Sequence, residues 1–142
     1  MIDINNPGNL RPLPNGQTWN GQTGVFTTED GKYCIFSTDI FGLRALCKNL
    51  MAYRSLGANT ILKVFQIWAP AADHNDPSGY ATFVANSMGI KITTIIDIDS
   101  PDFLFHASKA ISIMENGWDG TEGQYWYTDA VYHAGVAAAL DS

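Results

Sequence analysis

The chain reads as an α+β protein that is mostly helical, and three observations predict this. From Asp39 onward, apolar residues recur at helical spacing in most stretches, with small polar residues placed to cap the runs. The first third lacks that period. Asn5-Asn6-Pro7-Gly8-Asn9, Pro12-Leu13-Pro14-Asn15-Gly16 and Trp19-Asn20-Gly21-Gln22 are strings of turn formers separated by single apolar residues. Within this third, Val25-Phe26 and Tyr33-Cys34-Ile35-Phe36 flank Glu29-Asp30-Gly31, the pattern of an antiparallel hairpin. The expected architecture is a set of helices carrying a small lobe of loop and β-hairpin.

In chain order, the first helix places Leu43, Leu46, Cys47 and Leu50 on one face, with Ser37 or Thr38 as its cap, and ends by Gly57. A second follows the Asn59-Thr60 cap and gathers Ile61, Val64, Phe65 and Trp68 until Pro70 stops it, which makes Trp68 a core residue. The polar loop from Ala71 through Asp73, His74, Asn75 and Asp76 leads into a third helix through Tyr80, Phe83, Val84 and Met88. Residues 91 to 98 read as a linker or short extended piece despite their β-branched content. The fourth helix covers residues 103 to 115, and the fifth follows Thr128-Asp129 through Ala130, Ala134, Ala137 and Ala138. There is no internal repeat and no low-complexity segment.

Residues 1 to 142 have room for one domain with a sizeable core. A net charge of -6, with only eight basic residues scattered singly, offers no stripe to neutralise a phosphate backbone, so nucleic acid is not an expected partner. Cys34 and Cys47 each sit among apolar neighbours and are expected as buried free thiols. No run of eighteen apolar residues exists, so no membrane insertion is expected. The start of the chain lacks the basic region and apolar stretch of a signal peptide, which implies synthesis in the cytoplasm. His74, His106 and His133 are isolated from one another, and Asp73-x-Asn75-Asp76 lacks the other ligands of a calcium loop. Neither a metal nor a cofactor is expected.

The residue in the most unusual setting is Glu115, which ends the apolar run of the fourth helix and is followed by Asn116-Gly117-Trp118. A carboxylate at the negative end of a helix, beside an aromatic ring, is disfavoured as an anion. That is how a general acid is kept protonated near neutral pH.

Several short motifs agree in order with a known group. Asn5-Asn6-Pro7-Gly8-Asn9-Leu10-Arg11, Trp19-Asn20-Gly21, Gly42-Leu43-Arg44-Ala45-Leu46, Asn59-Thr60-Ile61, Trp68-Ala69-Pro70, Asn75-Asp76, Tyr80 and Glu115-Asn116-Gly117 resemble, across nearly the whole chain, small phage and prophage proteins described as virion structural proteins or peptidoglycan-degrading enzymes. A second resemblance bears on chemistry. Ile113-Met114-Glu115-Asn116-Gly117-Trp118 is similar to the helix end that carries the catalytic glutamate in lysozyme-like glucosaminidases and lytic transglycosylases, and Asn5-Asn6-Pro7-Gly8-Asn9 to a segment that follows it there. The order is reversed here. A circular permutation of a lysozyme-like domain would reconcile the two, and it requires residues 5 to 36 to pack on the last helix.

The resemblance implies cleavage of the β-1,4 glycan strands of peptidoglycan, of the muramidase or lytic transglycosylase type, with Glu115 as the single catalytic acid. Glu29 in the hairpin and Asp76 in the third loop are the candidates for a second acid, although Asp76-Pro77 is most simply a helix entry. Tyr80 either faces Glu115 and orients the sugar or is a core aromatic beside Phe83 and Val84. Asn6 and Asn9 either pin the first loop or present amides to an N-acetyl group. Trp118, Tyr125, Trp126 and Tyr127 are suited to stacking on sugar faces. Arg11 is the partner of a buried carboxylate or of a stem-peptide carboxylate in the wall. The competing reading is a noncatalytic virion or wall-binding module on the same fold. The implied partners are glycan strands, phage virion components or an immunity protein, and the implied place of action is the cell wall, reached in the periplasm or from a virion or secretion machine.

Overall fold

The computed structural model describes residues 1–69, 76–117 and 126–141. They form five α-helices and a two-stranded antiparallel sheet, with short 3-10 turns at Ile2–Ile4, Pro14–Gly16 and Ala52–Leu56. Each helix starts by the same device, a side-chain oxygen that accepts a bond from one of the orphan amides of the first turn. In α1 (Asp39–Met51) Thr38 accepts from the Phe41 amide, and in α2 (Ile61–Trp68) Thr60 accepts from Lys63. Asp76 does so for Gly79 in α3 (Pro77–Met88), and Thr128 for Val131 in α5 (Asp129–Leu140). Helix α4 (Pro101–Asn116) is capped by Ser100 and begins two residues before the expected Phe103. Pro101 explains the earlier start, because its fixed φ and missing N–H suit the first helical position.

The main core gathers Leu43, Leu46 and Leu50 of α1, Val64 and Phe65 of α2, Val84 of α3, Leu104 and Ile111 of α4, and Tyr132 of α5, all essentially inaccessible to solvent. Helix α1 lies against α5 along its length, closely enough that a Cβ on Gly135 would come within 2.5 Å of Leu43 Cβ. Helices α2 and α3 pack on each other, and α3 and α5 on α4. A polar bond crosses this apolar contact, since Ser112 Oγ and the Tyr132 hydroxyl lie 2.5 Å apart.

Strands β1 (Gln22–Thr28) and β2 (Gly31–Phe36) pair with Val25 opposite Cys34 and Thr28 opposite Gly31, with an irregularity between Gln22 and Gly24. Alternation along β2 buries Cys34 and Phe36 in a second, smaller core with Leu10 and Ala45, and leaves Tyr33 and Ile35 half-buried on the other face. Both cysteines are free and buried. Residues 91 to 98 form turns with one bridge, Thr60 to Ile95. Among the described residues, no helix is long and apolar enough to cross a membrane.

The last helix has its main contacts with other helices. Lys109 bonds to Asp129 at 3.0 Å and Phe105 stacks on His133, so α5 runs antiparallel to α4 and packs chiefly on α1 and α4. Met1 is held at the opposite end of α4, where its amine donates to Asn116 Oδ1.

Candidate functional site

The segment Asn5-Asn6-Pro7-Gly8-Asn9 is the hinge between the hairpin lobe and the end of α4, and each of its residues has a physical reason. Asn5 adopts φ 58°, a left-handed conformation that asparagine tolerates, and its amide donates to the Phe36 carbonyl at 3.0 Å. Asn6 is fully buried. Its amide donates to the carbonyls of Leu10 and Cys34, both at 2.9 Å, and its Oδ1 accepts from the Leu10 N–H at 2.8 Å. Pro7 offers its carbonyl to the Asn116 amide at 2.8 Å. Gly8 lies against Leu46, where a Cβ would come within 2.7 Å of that side chain. Asn9, again left-handed at φ 50°, directs its amide to the end of α4.

Glu115 sits in the last turn of α4, where backbone carbonyls have no partner within the helix. Asn9 Nδ2 donates to the Glu115 carbonyl at 3.2 Å and to its carboxylate Oε2 at 3.3 Å, so one amide both closes the helix end and orients the side chain. Asn116 fixes the next position by donating also to the Ser112 carbonyl at 2.8 Å. The Met1 amine donates to Asn9 Oδ1 and Asn116 Oδ1. Burial pushes that amine below its ordinary value, opposed by the charges of Asp3 and Glu115.

The Tyr80 hydroxyl donates to Glu115 Oε1 at 2.8 Å. Helix α3 positions it by stacking the Tyr80 ring on Phe65 of α2, with centroids 5.4 Å apart. Burial first, and then the neighbouring Glu115 charge and the bond to it, raise the Tyr80 phenol above its ordinary value. Tyr80 therefore keeps its proton and remains a donor across the neutral range.

Glu115 lines an open groove of about 390 Å³. Asn9 and Arg11 come to it from the first loop, Tyr33 from β2, Tyr53 from the 3-10 turn after α1, and Trp68 from the end of α2. Tyr53 is fixed by the Asn49 amide, which donates to its hydroxyl at 3.1 Å. Trp68 has a double role that helical spacing alone did not reveal, since it packs on both core clusters and also borders the groove. Its place in the last turn, just before Pro70, was the signal available. Tyr33 was legible through strand alternation, which sets it opposite the buried Cys34 and Phe36.

The other candidates fall elsewhere. Asn6 does not face the groove, because burial and its three hydrogen bonds commit it to the loop. Glu29 is exposed in the hairpin turn, and Asp76 is exposed with its carboxylate turned onto the Gly79 amide of its own helix, so neither lines the groove. Trp126 donates its indole N–H to the Gly117 carbonyl at 3.0 Å and borders a separate hollow with Met1, Ile2, Asp3 and Asn116. Tyr127 packs edge-on against Tyr132 at the margin of the core. Trp118 and Tyr125 lie outside the described residues. Among the described residues, no group of three or more His, Cys, Asp or Glu side chains is arranged to hold a metal ion. No protein-family model matches this chain, and no curated protein matches it.

Proposed function

We propose that the groove at the end of α4 binds and cleaves the β-1,4 glycan strands of bacterial peptidoglycan, with Glu115 as the proton donor on a lysozyme-like arrangement of helices and hairpin lobe. The observation that carries this reading is the 2.8 Å bond from Tyr80 to Glu115 at the edge of an open groove bordered by the rings of Tyr33, Tyr53 and Trp68. A glycosidic bond breaks when the departing oxygen is protonated as the anomeric carbon gains positive charge. Tyr80 holds Oε1 at 2.8 Å, and Oε2, with the longer 3.3 Å contact from Asn9, is the oxygen that would meet the strand. Aromatic rings suit the apolar faces of sugars, and the Asn9 amide fixes the carboxyl without supplying a charge.

One acid is sufficient in the transglycosylase version. The C6 hydroxyl of the muramic sugar attacks the anomeric carbon, the bond to the leaving oxygen breaks, and Glu115 takes the hydroxyl proton after giving up its own. The residues bordering the groove favour this version over a hydrolase with two carboxylates, since Glu115 is the only acid among those described. The activity would be exerted on the cell wall, with delivery by a virion or a secretion machine.

Changing Glu115 to Gln tests the reading, because Gln keeps the shape of a protonated glutamate and cannot donate its proton. Release of fragments from purified peptidoglycan should fall by roughly 10² to 10⁴. Mass analysis of wild-type products should find anhydro ends, one water lighter than reducing ends. Equal cleavage by the variant would remove Glu115 from the mechanism. Binding of strands without any release, from walls of several bacterial types, would establish a noncatalytic wall-binding module instead.

A further inference from the structure

Arg11 lines the same groove as Glu115 and is the only base among the described lining residues. Its guanidinium donates to the Asp30 carbonyl at 3.2 Å and to the Tyr33 hydroxyl at 3.4 Å, and lies 4.9 Å from the centre of the Tyr33 ring. Gly31 makes room for it, since a Cβ there would collide with the guanidinium. The hairpin turn therefore holds the arginine fork in one place, with no further partner for its N–H groups among the described residues.

No carboxylate pairs with Arg11 among the described residues, in a chain with fourteen acidic and eight basic residues. Arg54 shows the contrast, bonded to Asp97 at 2.5 Å and to Asp99 at 2.9 Å. Arg11 is instead fixed by neutral acceptors and an aromatic face, which orient the cation without neutralising it.

We propose that Arg11 is a carboxylate-binding residue of the groove, so that the preferred strand is an acidic glycan, carrying a carboxylate on or next to the sugar beside the scissile bond, rather than a neutral one. This rests on the reading that the groove takes a glycan. The carboxylate has two possible sources in the wall, the lactyl ether of the muramic sugar and the stem peptide attached to it. Both offer the planar pair of oxygens that a guanidinium fork matches.

The test compares binding of three strands of equal length to the Glu115→Gln protein, which leaves them uncut. They are chitotetraose, a peptide-free wall tetrasaccharide with lactyl carboxylates, and the same tetrasaccharide bearing stem peptides. Because Arg11 is exposed, a preference of about tenfold for an acidic strand over chitotetraose is expected, shrinking as salt is raised. Adding Arg11→Gln should bring the strands within about twofold of each other with an unchanged melting temperature. Arg11→Lys, which keeps the charge and loses the fork, should retain part of the preference, and it replaces the Gln variant if that one fails to fold. Preference for the peptide-free strand assigns the lactyl carboxylate, and preference only for the peptide-bearing strand assigns the stem. Equal binding of acidic and neutral strands by the parent, or a preference that survives both variants, overturns the role of Arg11 and leaves the glycan reading standing. Binding of none of the three overturns both.

Discussion

Helix α1 touches the rest of the molecule closely on two sides, and the two contacts are built differently. Toward α5 the contact is apolar and close-packed, with Gly135 of α5 against Leu43 and with Tyr132 buried in the core. Toward the first loop it is a backbone contact, in which Gly42 lies so near the Asn5 carbonyl that a Cβ would overlap it. The first contact excludes water and resists volume change but aims nothing. The second belongs to a loop of directed hydrogen bonds, in which Asn5 donates to the Phe36 carbonyl, the Asn6 carbonyl accepts from the Asn9 N–H at 3.1 Å, and the Asn9 amide donates to Glu115. Both faces bear on stability, and the face toward the first loop also bears on the aim of the carboxyl.

Substituting the two glycines should separate these roles. Gly42→Ala must displace backbone, and it should cost about 3 kcal/mol and disturb the groove as well. Gly135→Ala meets the Cβ of Leu43 and should cost about 1 to 3 kcal/mol, yet leave glycan release per folded molecule unchanged. Denaturant titration gives the stability, and assays at a temperature where both variants are folded give the activity. Equal loss of activity per folded molecule in both would erase the distinction.

Asn6→Ala leaves the Cys34 carbonyl and the Leu10 N–H without their partner in a buried site, while the Leu10 carbonyl keeps its bond from the Cys34 N–H, and should cost about 2 kcal/mol. Asn9→Ala removes a partly buried bond at the helix end, and a smaller loss, about 1 kcal/mol, is expected, with a larger proportional effect on activity. A loss of stability in Asn9→Ala as large as in Asn6→Ala would mean that the loop acts as one block. Tyr80→Phe keeps the stack on Phe65 and deletes only the bond to Glu115. It should change stability by about 1 kcal/mol or less while shifting the pH profile of glycan release, a change that a purely structural tyrosine would not produce.

The smallest effect near neutral pH belongs to the buried thiol on α1. Burial pushes Cys47 up to about 12 from 9.0, so the folded state holds this proton more tightly than the unfolded state does. Its contribution is complete below pH 9 and is lost as the pH climbs toward 12. The phenols of Tyr53 and Tyr80, raised chiefly by burial, act in the same direction at still higher pH. Stability should be flat with respect to these groups near neutrality and fall in alkali, and native Cys47 should resist alkylation until the chain opens. Rapid labelling at pH 8 without unfolding would contradict this burial.

Helix positions were legible because they depend on local chemistry. Thr38, Thr60 and Thr128 stand where an apolar period begins, and each accepts the bond that starts its helix. Asp76-Pro77 reads as a helix entry for the same reason. The hairpin was legible from Glu29-Asp30-Gly31 between two apolar runs. At the candidate site, Glu115 stood out by its place at a helix end, and Tyr80 was one of two readings until α2 and α3 brought its hydroxyl to that carboxylate.

What the sequence by itself determined is therefore the set of elements and the identity of the carboxyl that merits a chemical explanation, since periodicity, caps and turn residues act over a few positions. Only the tertiary structure decided which polar residues meet. It separated Asn6, committed to backbone groups thirty positions apart or fewer, from Asn9, which reaches Glu115 across 106 positions. It brought Trp68 to the groove margin and turned Asp76 back onto its own helix. The physical reason is range. A cap or a turn is satisfied by its neighbours in sequence, whereas a groove is a property of surfaces left over when distant helices have buried their apolar faces, and no local pattern records which surfaces those are.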